Sequence, residues 1–175
     1  MAHRHRPRGT RLLATAAVAT TLALGLLQAP ASHADDGNDV GAQATINVGD
    51  TCDEAGIRDC LLLHYNSYPA GSAPNSACHA SNRNLGNHRG QEDGSNYLAY
   101  VFRTGYGPGC HNESGYNERL VNNAASFNNR DCANFQIYAG TFATGHSRMA
   151  YHNTIGQMGT DLKNNNESHY ARSGC

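Results

Sequence analysis

Short apolar runs separated by turn-forming residues characterise the chain beyond residue 50. Leu61–Tyr65 has the length of a buried strand, and Tyr97–Phe102 is a strand with glycines upstream and downstream. Phe135–Tyr138 alternates apolar and polar positions, and Met149–His152 is a further strand. No amphipathic pattern of ten residues or more occurs, and the abundant Asn and Gly disfavour helix interiors. The pattern therefore predicts an all-β fold, either a sandwich or a barrel.

Polar and glycine-bearing segments separate these strands. Residues 35–50 are polar and acidic, which predicts a flexible leader. Asn66–Ser72 is a turn rich in Asn, Pro and Gly, residues 77–95 are irregular, and Gly105–Cys110 is an exposed loop. The folded domain is therefore expected to begin near Thr51 and to span residues 51–175.

The polar segment Asn122–Ser126 recurs as Asn164–Ser168, and we refer to these segments as the first and second knot. Both have the pattern Asn-Asn-x-x-Ser. The alignment pairs Asp59-Cys60 with Asp131-Cys132, Leu63–Tyr65 with Gln136–Tyr138, and Tyr68–Gly71 with Phe142–Gly145. It predicts two duplicated motifs, at residues 59–127 and 131–170, with an insertion at about residues 77–118 of the first.

The first 34 residues have the organisation of a signal peptide. Four arginines within residues 4–11 precede an apolar run, Leu12–Leu27, and residues 32–34 supply the small side chains of a cleavage site. A membrane anchor is the alternative, but the run is shorter than the ~20 residues that a spanning helix needs. We expect cleavage after Ala34, secretion, and no membrane attachment of the mature chain.

Removal of the signal peptide makes the protein acidic. The four N-terminal arginines leave with it, so 9 of the 13 Lys+Arg remain against 14 Asp+Glu, and Lys163 is the one lysine. Nucleic-acid binding requires clustered cations that neutralise phosphates, and the sequence contains no such cluster. We therefore expect no nucleic-acid partner.

All six cysteines lie downstream of the signal peptide, and an even count in an exported chain predicts three disulfides. Sequence alone does not select among the possible pairings. Proximity in the sequence and the benefit of fixing the C-terminus favour Cys52–Cys60, Cys78–Cys110 and Cys132–Cys175. Such bridges would support a core that has no Trp and four Phe.

Two segments resemble a known family. Cys60–Ser67 with Gly71-Ser72, and Val121–Ser126 ahead of a cysteine-led strand, are similar to the βγ-crystallin-like secreted proteins of actinobacteria, typified by the streptomycete metalloproteinase inhibitor. The resemblance covers about residues 52–170. It implies a Greek-key β-sandwich of two four-stranded motifs that binds or inhibits a secreted metalloprotease. It also implies that aromatic and glycine residues shape the hairpins, with Tyr65, Tyr68, Gly71, Tyr138, Phe142 and Gly145 as candidates.

The resemblance further implies a calcium signature at the knots: two Asn or Asp, two free positions, then Ser or Thr, and Ser. Calcium is bound by oxygen ligands, and carboxylates raise its affinity. Phe127 and His169 stand where the final Ser is expected, and neither knot begins with Asp, so binding should be weak and no cofactor is required. In the alternative interpretation the asparagines stabilise turns through their own backbone. The candidate ligands are Asn122, Asn123 and Ser126 in the first knot and Asn164, Asn165 and Ser168 in the second.

Inhibition would require an exposed, rigid loop that enters a protease cleft. Arg103–His111 is the candidate loop, with Arg103, Tyr106 and Pro108 as contact residues; the alternative is a plain surface connection. The family's short disulfide-tethered loop has no obvious counterpart here. We expect a monomeric metalloprotease inhibitor, with a non-inhibitory extracellular structural or weak calcium-binding module as the alternative.

Catalytic motifs are sparse. No two of the seven histidines beyond residue 34 form a His-x-x-x-His pair, so a zinc hydrolase lacks its ligands. Cys78-His79 and Cys110-His111 would need free thiols to bind a metal. Neither a Gly-x-Ser-x-Gly elbow nor a phosphate-binding Gly-x-x-x-x-Gly-Lys loop occurs. We therefore expect no enzymatic activity, and an unrecognised hydrolase is the third hypothesis.

Overall fold

In the described part of the chain, strands supply most of the regular structure, and a 3-10 turn lies at Thr141–Ala143. The computed structural model describes residues 43–52, 59–68, 74–106 and 109–174, and within these ranges the fold is all-β, as expected. No helix in these ranges is long and apolar enough to cross a bilayer, and the signal peptide predicted at residues 1–34 lies outside them. The strands are β1 Ala44–Val48, β2 Asp50–Thr51, β3 Leu61–His64, β4 Cys78–Ser81, β5 Gln91–Asp93, β6 Asn96–Tyr100, β7 Ser126–Asn129, β8 Asn134–Tyr138, β9 Ser147–Ala150, β10 Thr154–Gln157 and β11 Ser168–Ser173.

Four of these strands were predicted from apolar runs. β3 is fully buried, and β8 starts one residue before the predicted Phe135. β6 is shifted toward the N-terminus relative to the predicted Tyr97–Phe102, and β9 is shifted by two residues relative to Met149–His152. The boundaries moved because apolar runs identify the buried part of a strand better than its ends.

The prediction of a flexible leader at residues 35–50 is wrong for the last part of this segment, which forms β1 and the start of β2. β1 is mostly exposed, so no apolar pattern marks it, and its stability comes from parallel pairing with β6. The segment at residues 77–95, expected to be irregular, contains β4 and β5. β4 escaped prediction because its sequence, Cys-His-Ala-Ser, is polar although all four residues are buried.

The strands form three sheets, ordered β1-β6-β5, β10-β7-β3-β4-β2 and β11-β8-β9. β3 lies antiparallel between β4 and β7, and β8 lies antiparallel between β9 and β11. The first half of the domain contains β3, β4 and β7, and the second contains β8 to β11. Each half contributes one segment to the sheet of the other half. β10, which follows β9, pairs with β7, and Leu85, which follows β4, bridges to His169 on β11. The two halves therefore share one strand plan and interlock.

Alternate side chains of the central strands face a common core. Leu61 and Leu63 of β3 lie in one buried cluster with Phe135 and Ile137 of β8, so the sheets that contain β3 and β8 pack against each other through these residues. Leu62 points to the opposite face, as the two-residue period of a strand requires. That face holds a second, smaller cluster made of Cys60, Leu62, Cys78, Ala80 and Cys110, with Cys52 and Tyr106 packed against it.

The repeat alignment needs a one-residue correction in the first strand. The Ala125 N–H donates to the His64 carbonyl at 2.9 Å, and the Glu167 N–H donates to the Tyr138 carbonyl at 2.9 Å, so His64 corresponds to Tyr138. The sequence alignment paired Tyr65 with Tyr138. That pairing would match the core-facing Ile137 with His64, which is buried on the opposite face of β3 beside the Cys78–Cys110 bridge, because a slip of one residue exchanges the two faces of a strand.

The expected insertion at residues 77–118 is also displaced. β4 lies within that range, yet it pairs with β3 as β9 pairs with β8, so it belongs to the shared plan. The Leu120 carbonyl accepts the Asn123 N–H as the Leu162 carbonyl accepts the Asn165 N–H, which makes the two leucines equivalent. The additional segment of the first half therefore ends near Leu120 and carries β5 and β6.

The hairpin after β8 differs from the family expectation at Phe142. This ring is 70% exposed, and its backbone is in the left-handed region at φ 51°. The Phe142 ring lies against Gly86 rather than across its own hairpin, and a Cβ added at Gly86 would approach the ring to 2.9 Å. Gly145 has φ +78°, which suits glycine. Tyr65 packs edge-on against Phe102, Tyr138 is buried, and Gly71 lies outside the described residues.

Disulfides join Cys52 to Cys60 and Cys78 to Cys110, as proximity predicted. The Cα–Cα distances are 6.4 Å and 5.5 Å. Cys132 is disulfide-bonded as well, and its expected partner Cys175 lies outside the described residues. The second bridge starts from β4 itself and lies with Ala80 in the smaller buried cluster.

Candidate cation site at the paired knots

The two knots lie side by side and bind each other through reciprocal backbone hydrogen bonds. The Asn122 N–H donates to the Asn166 carbonyl at 2.8 Å, and the Asn164 N–H donates to the Ala124 carbonyl at 3.0 Å. The same pair of positions acts as donor and acceptor in each knot, so the contact is pseudo-twofold. Sequence reasoning found the repeat, and the structure brings both copies together at one place.

Each knot is also tied to the loop that comes after the first strand of its half. The Ser126 hydroxyl donates to the Asn66 carbonyl at 2.6 Å, and the Ser168 hydroxyl donates to the Gly140 carbonyl at 2.6 Å. The two serines, both predicted as ligands, are buried. Both hydroxyl groups therefore donate to backbone carbonyls of the protein, and these hydrogen bonds position the knots.

The asparagines take two different structural parts. Asn122 and Asn164 have φ values of 57° and 55°, a left-handed conformation that Asn tolerates better than most residues. Asn123 and Asn165 donate their side-chain N–H groups to the carbonyls of residues 119 and 161, at 2.9 Å and 3.1 Å. The turn-stabilising interpretation thus holds for the side chains of Asn123 and Asn165, whose amide nitrogens make these bonds.

One buried side-chain oxygen at the junction of the knots lacks a partner. Asn122 Oδ1 is buried and has no hydrogen-bond partner among the described residues. The same side chain donates from Nδ2 to a Glu167 carboxylate oxygen at 3.2 Å, so an amide oxygen and a carboxylate lie close together. Amide and carboxylate oxygens are both ligand types that calcium accepts, among the six to eight oxygens it requires. Arg89 approaches Glu167 at 3.7 Å and competes for its charge, although the Arg89 side chain is 60% exposed.

The other side of the junction has a different charge. A cleft of about 460 Å³ lies beside the first knot and receives the only lysine of the chain. Its described lining residues supply amide and hydroxyl groups but no carboxylate, because Ala125 stands at the position that Glu167 occupies in the second knot. An ammonium group here disfavours a second cation. The cleft is lined by Tyr65, Asn66, Ser67, Asn123, Ala125, Lys163 and Asn164.

The residues that replace the final serine of the calcium signature both point into the protein. Phe127 is 3% exposed and His169 is fully buried. Neither is placed as a surface ligand. Sequence reasoning did not identify Glu167 as part of the site, since its relevance depends on the contact between knots that are distant in the sequence.

The predicted inhibitory loop is clamped at both ends by Cys78. The Cys78 N–H and carbonyl pair with Arg103 at 2.9 Å and 2.8 Å, and its side chain bridges to Cys110. The Arg103 guanidinium donates to Asn117 and lies 5.2 Å from the Tyr116 ring centroid. Burial raises the pKa of Tyr106, and nearby Asp50 adds to this shift. Pro108, the third predicted contact residue, lies outside the described residues.

A second group of potential metal ligands surrounds the same disulfide. His64, Cys78 and Cys110 present ligand atoms within 4.8 Å of one another. The two cysteines are bonded to each other, so their sulfurs are not available as thiolates. His79 instead uses Nδ1 on the Val101 carbonyl at 3.0 Å, and His111 is exposed. The cysteines of the two Cys-His pairs therefore serve a disulfide rather than a metal.

No family model, no curated protein and no solved structure matches this chain. Its function is therefore inferred from the geometry of the knots and of the clamped loop.

Proposed function

We propose that the chain is a secreted βγ-crystallin-like module with two Greek-key motifs, whose paired knots bind calcium weakly. The fold assignment is supported by the shared plan of the halves, in which β7 returns beside β3 and β11 returns beside β8. In addition, β10 of the second half pairs with β7 of the first, and Leu85 of the first half bridges to His169 on β11 of the second. Export is supported by the disulfides, which persist in oxidising compartments.

The observation that carries the calcium proposal is the buried Asn122 oxygen beside the Glu167 carboxylate. Asn122, Glu167 and carbonyl groups of the knots would hold the ion, which would supply positive charge where two segments distant in sequence converge. With one carboxylate and mostly neutral oxygens, the affinity belongs in the range of extracellular modules, about 10⁻⁴–10⁻³ M.

Calorimetric titration of calcium into the oxidised protein at pH 7.5 tests this proposal. The Asn122→Gly/Asn164→Gly variant removes both side chains while it permits the positive φ angles, and Asn47→Ala on exposed β1 is the control. We expect saturable binding and a higher melting temperature for the wild type and the control, and neither for the double variant. Absence of heat together with an unchanged wild-type melting curve would contradict the proposal.

Metalloprotease inhibition is the second candidate, favoured by the double clamp of the loop at Cys78. A loop fixed at both ends loses less entropy on entering a protease cleft. Inhibition of a thermolysin-like protease by micromolar protein is the assay, with Arg103→Ala compared against Arg172→Ala on β11. Arg103→Ala is expected to weaken inhibition, and the absence of inhibition by the wild type would refute this function.

A further inference from the structure

The outer edge of the second strand is covered in the first half of the domain and open in the second. Since His64 corresponds to Tyr138, the strand registers relate Cys78–Ser81 of β4 to Ser147–Ala150 of β9. β4 has a neighbour on each side, because β2 pairs with it in parallel orientation on the side away from β3. Among the strands of the described ranges, β9 pairs with β8 alone. β9 is therefore an edge strand of its sheet.

The covered edge of β4 shows which backbone groups point outward in this strand plan. The Ala80 N–H donates to the Gly49 carbonyl at 3.2 Å. The Cys78 N–H donates to the Arg103 carbonyl at 2.9 Å, and the Cys78 carbonyl accepts the Arg103 N–H at 2.8 Å. Residues 78 and 80 thus direct their backbone groups away from β3, toward two segments that cover the edge.

The backbone groups at the equivalent positions of β9 are those of Ser147 and Met149. The Ala139 N–H donates to the His146 carbonyl at 2.8 Å, so the backbone groups of His146 point toward the β8 side. Because these directions alternate along an antiparallel strand, the groups of Ser147 point away from β8, those of Arg148 point toward it, and those of Met149 point away again. In the part of the chain that the structure describes, no strand lies opposite Ser147 and Met149 at this edge.

Apolar side chains lie beside the open edge. Tyr151, directly after β9, is 60% exposed, and Ile155 on β10 is 45% exposed. Both line a groove of about 480 Å³ along β9 and β10, to which Met149 and Phe127 also contribute. An unpaired strand edge beside exposed apolar residues favours association with another strand.

Charge favours association through this groove. Arg148 is the one charged residue among the described residues that line it, and no carboxylate lines it with Arg148. The mature chain expected from the sequence carries 14 Asp+Glu against 9 Lys+Arg, so two copies repel each other over much of their surface. The groove is a surface at which two acidic copies can meet without opposing carboxylates.

The sequence of β9 is complementary to itself in one antiparallel register. In a pair centred on Met149, the two Met149 residues exchange both backbone hydrogen bonds, and Ser147 of each copy lies opposite Tyr151 of the other. Arg148 then lies opposite Ala150 of the second copy, so like charges do not meet. A pair centred on Arg148 would instead place two guanidinium groups opposite each other. The register centred on Met149 also brings the exposed Tyr151 ring diagonal to Met149 of the second copy.

We propose that β9 pairs antiparallel with β9 of a second copy, centred on Met149, and that the protein forms a symmetric dimer through this edge. The pairing joins two β11-β8-β9 sheets into one sheet of six strands and occupies the open β9 edge of both copies. Because each copy contributes one short strand, we expect a weak dimer. The dimer differs from the monomer expected from the sequence, and it depends neither on calcium binding nor on protease inhibition.

Sedimentation velocity of the oxidised protein from micromolar to millimolar concentration, in calcium-free buffer at pH 7.5, tests the pairing. Met149→Lys places an ammonium group on the edge strand, and in the proposed dimer two such groups would lie directly opposite each other. Asn47→Lys on exposed β1 adds the same charge elsewhere and is the matched control.

We expect the mean sedimentation coefficient of the wild type and of Asn47→Lys to rise with concentration toward that of a dimer. Met149→Lys should raise the dissociation constant at least about tenfold. Wild-type protein that stays monomeric at millimolar concentration would overturn the proposal. A dimer that Met149→Lys leaves unchanged, or that Asn47→Lys weakens equally, would overturn it as well.

Amide hydrogen exchange of the wild type, measured by NMR at low and high protein concentration, tests the register and decides the proposal if Met149→Lys does not fold. The N–H groups of Met149 and Tyr151 should exchange more slowly at the higher concentration, in proportion to the dimer fraction. Exchange of the Arg148 N–H, which points toward β8, should change less. Exchange of the Met149 N–H at the same rate at both concentrations would contradict the pairing.

Discussion

Acidification from pH 7.5 to pH 5.5 should remove a large part of this protein's stability. Four histidines of the described ranges are fully buried: His64, His79, His88 and His169. Burial, followed by the charge of Arg130, lowers the pKa of His64 to about 3, and burial, opposed by a bond to Val101, lowers the pKa of His79 to about 4. The other two are lowered by burial and by neighbouring histidines. All four therefore fold in the neutral form.

Proton uptake determines the sign of the effect. At pH 7.5 and above the histidines are almost entirely neutral in both states, so they impose almost no pH dependence on stability. Below pH 6.5 the unfolded chain binds protons that the folded state excludes, and stability falls until the folded pKa values, near 3 to 4, are reached. At pH 5.5 each histidine costs between about 1 and 2 kcal/mol, and the four together cost about 6 kcal/mol. Domains of this kind are stable by about 5–15 kcal/mol, so the loss is a large fraction of the whole.

Urea unfolding monitored by tyrosine fluorescence at pH 7.5, 6.5 and 5.5 measures this loss. The interval lies above the ordinary pKa range of carboxylates, so histidines dominate the result. His64→Leu is the informative variant, because both His64 ring nitrogens are buried without a partner among the described residues. The variant should lose about a quarter less stability than the wild type over the interval. A change of less than about 1 kcal/mol in the wild type would refute the assignment of four buried neutral histidines.

Three further perturbations have defined outcomes. Lys163→Glu replaces the ammonium beside the first knot with a carboxylate and should tighten calcium binding about tenfold in calorimetry, whereas Lys163→Gln should have a smaller effect. Cys78→Ser/Cys110→Ser opens a bridge of sequence separation 32 and should lower the free energy of unfolding in urea by about 4 kcal/mol. Gly145→Ala introduces a side chain at φ +78° and should cost about 1 kcal/mol in thermal unfolding. An unchanged affinity, midpoint or melting temperature, respectively, would contradict each.

The sequence predicted those parts of the fold that depend on local pattern. Leu61–His64 and Phe135–Tyr138 are central strands with buried apolar residues, and they were recognisable from their composition. β1 was not, because its exposed residues are held by backbone pairing with a strand distant in the sequence. β4 was missed for a related reason: its polar residues are buried by tertiary partners that the local sequence does not reveal.

The candidate site was predictable to a similar extent. The repeated Asn-Asn-x-x-Ser pattern located both knots, but not their mutual hydrogen bonds or the position of Glu167 beside Asn122. His88 carried no signal and His169 carried a single one, since neither belongs to a metal-binding spacing and their contact joins residues 81 positions apart. One signal was available: His169 departs from the serine of the calcium signature, and the structure shows that this departure places a base in the core.

The central claim, that the paired knots form a cation site, is tested most directly by a calcium titration of the ¹⁵N-labelled protein monitored by NMR. We expect saturable shifts in the amide signals of the first and second knots and of residues 138–140, with the Glu167 region changing most. Signals of the clamped loop at residues 103–111 should not move. Absence of shifts, or shifts confined to acidic residues elsewhere on the surface, would contradict the account.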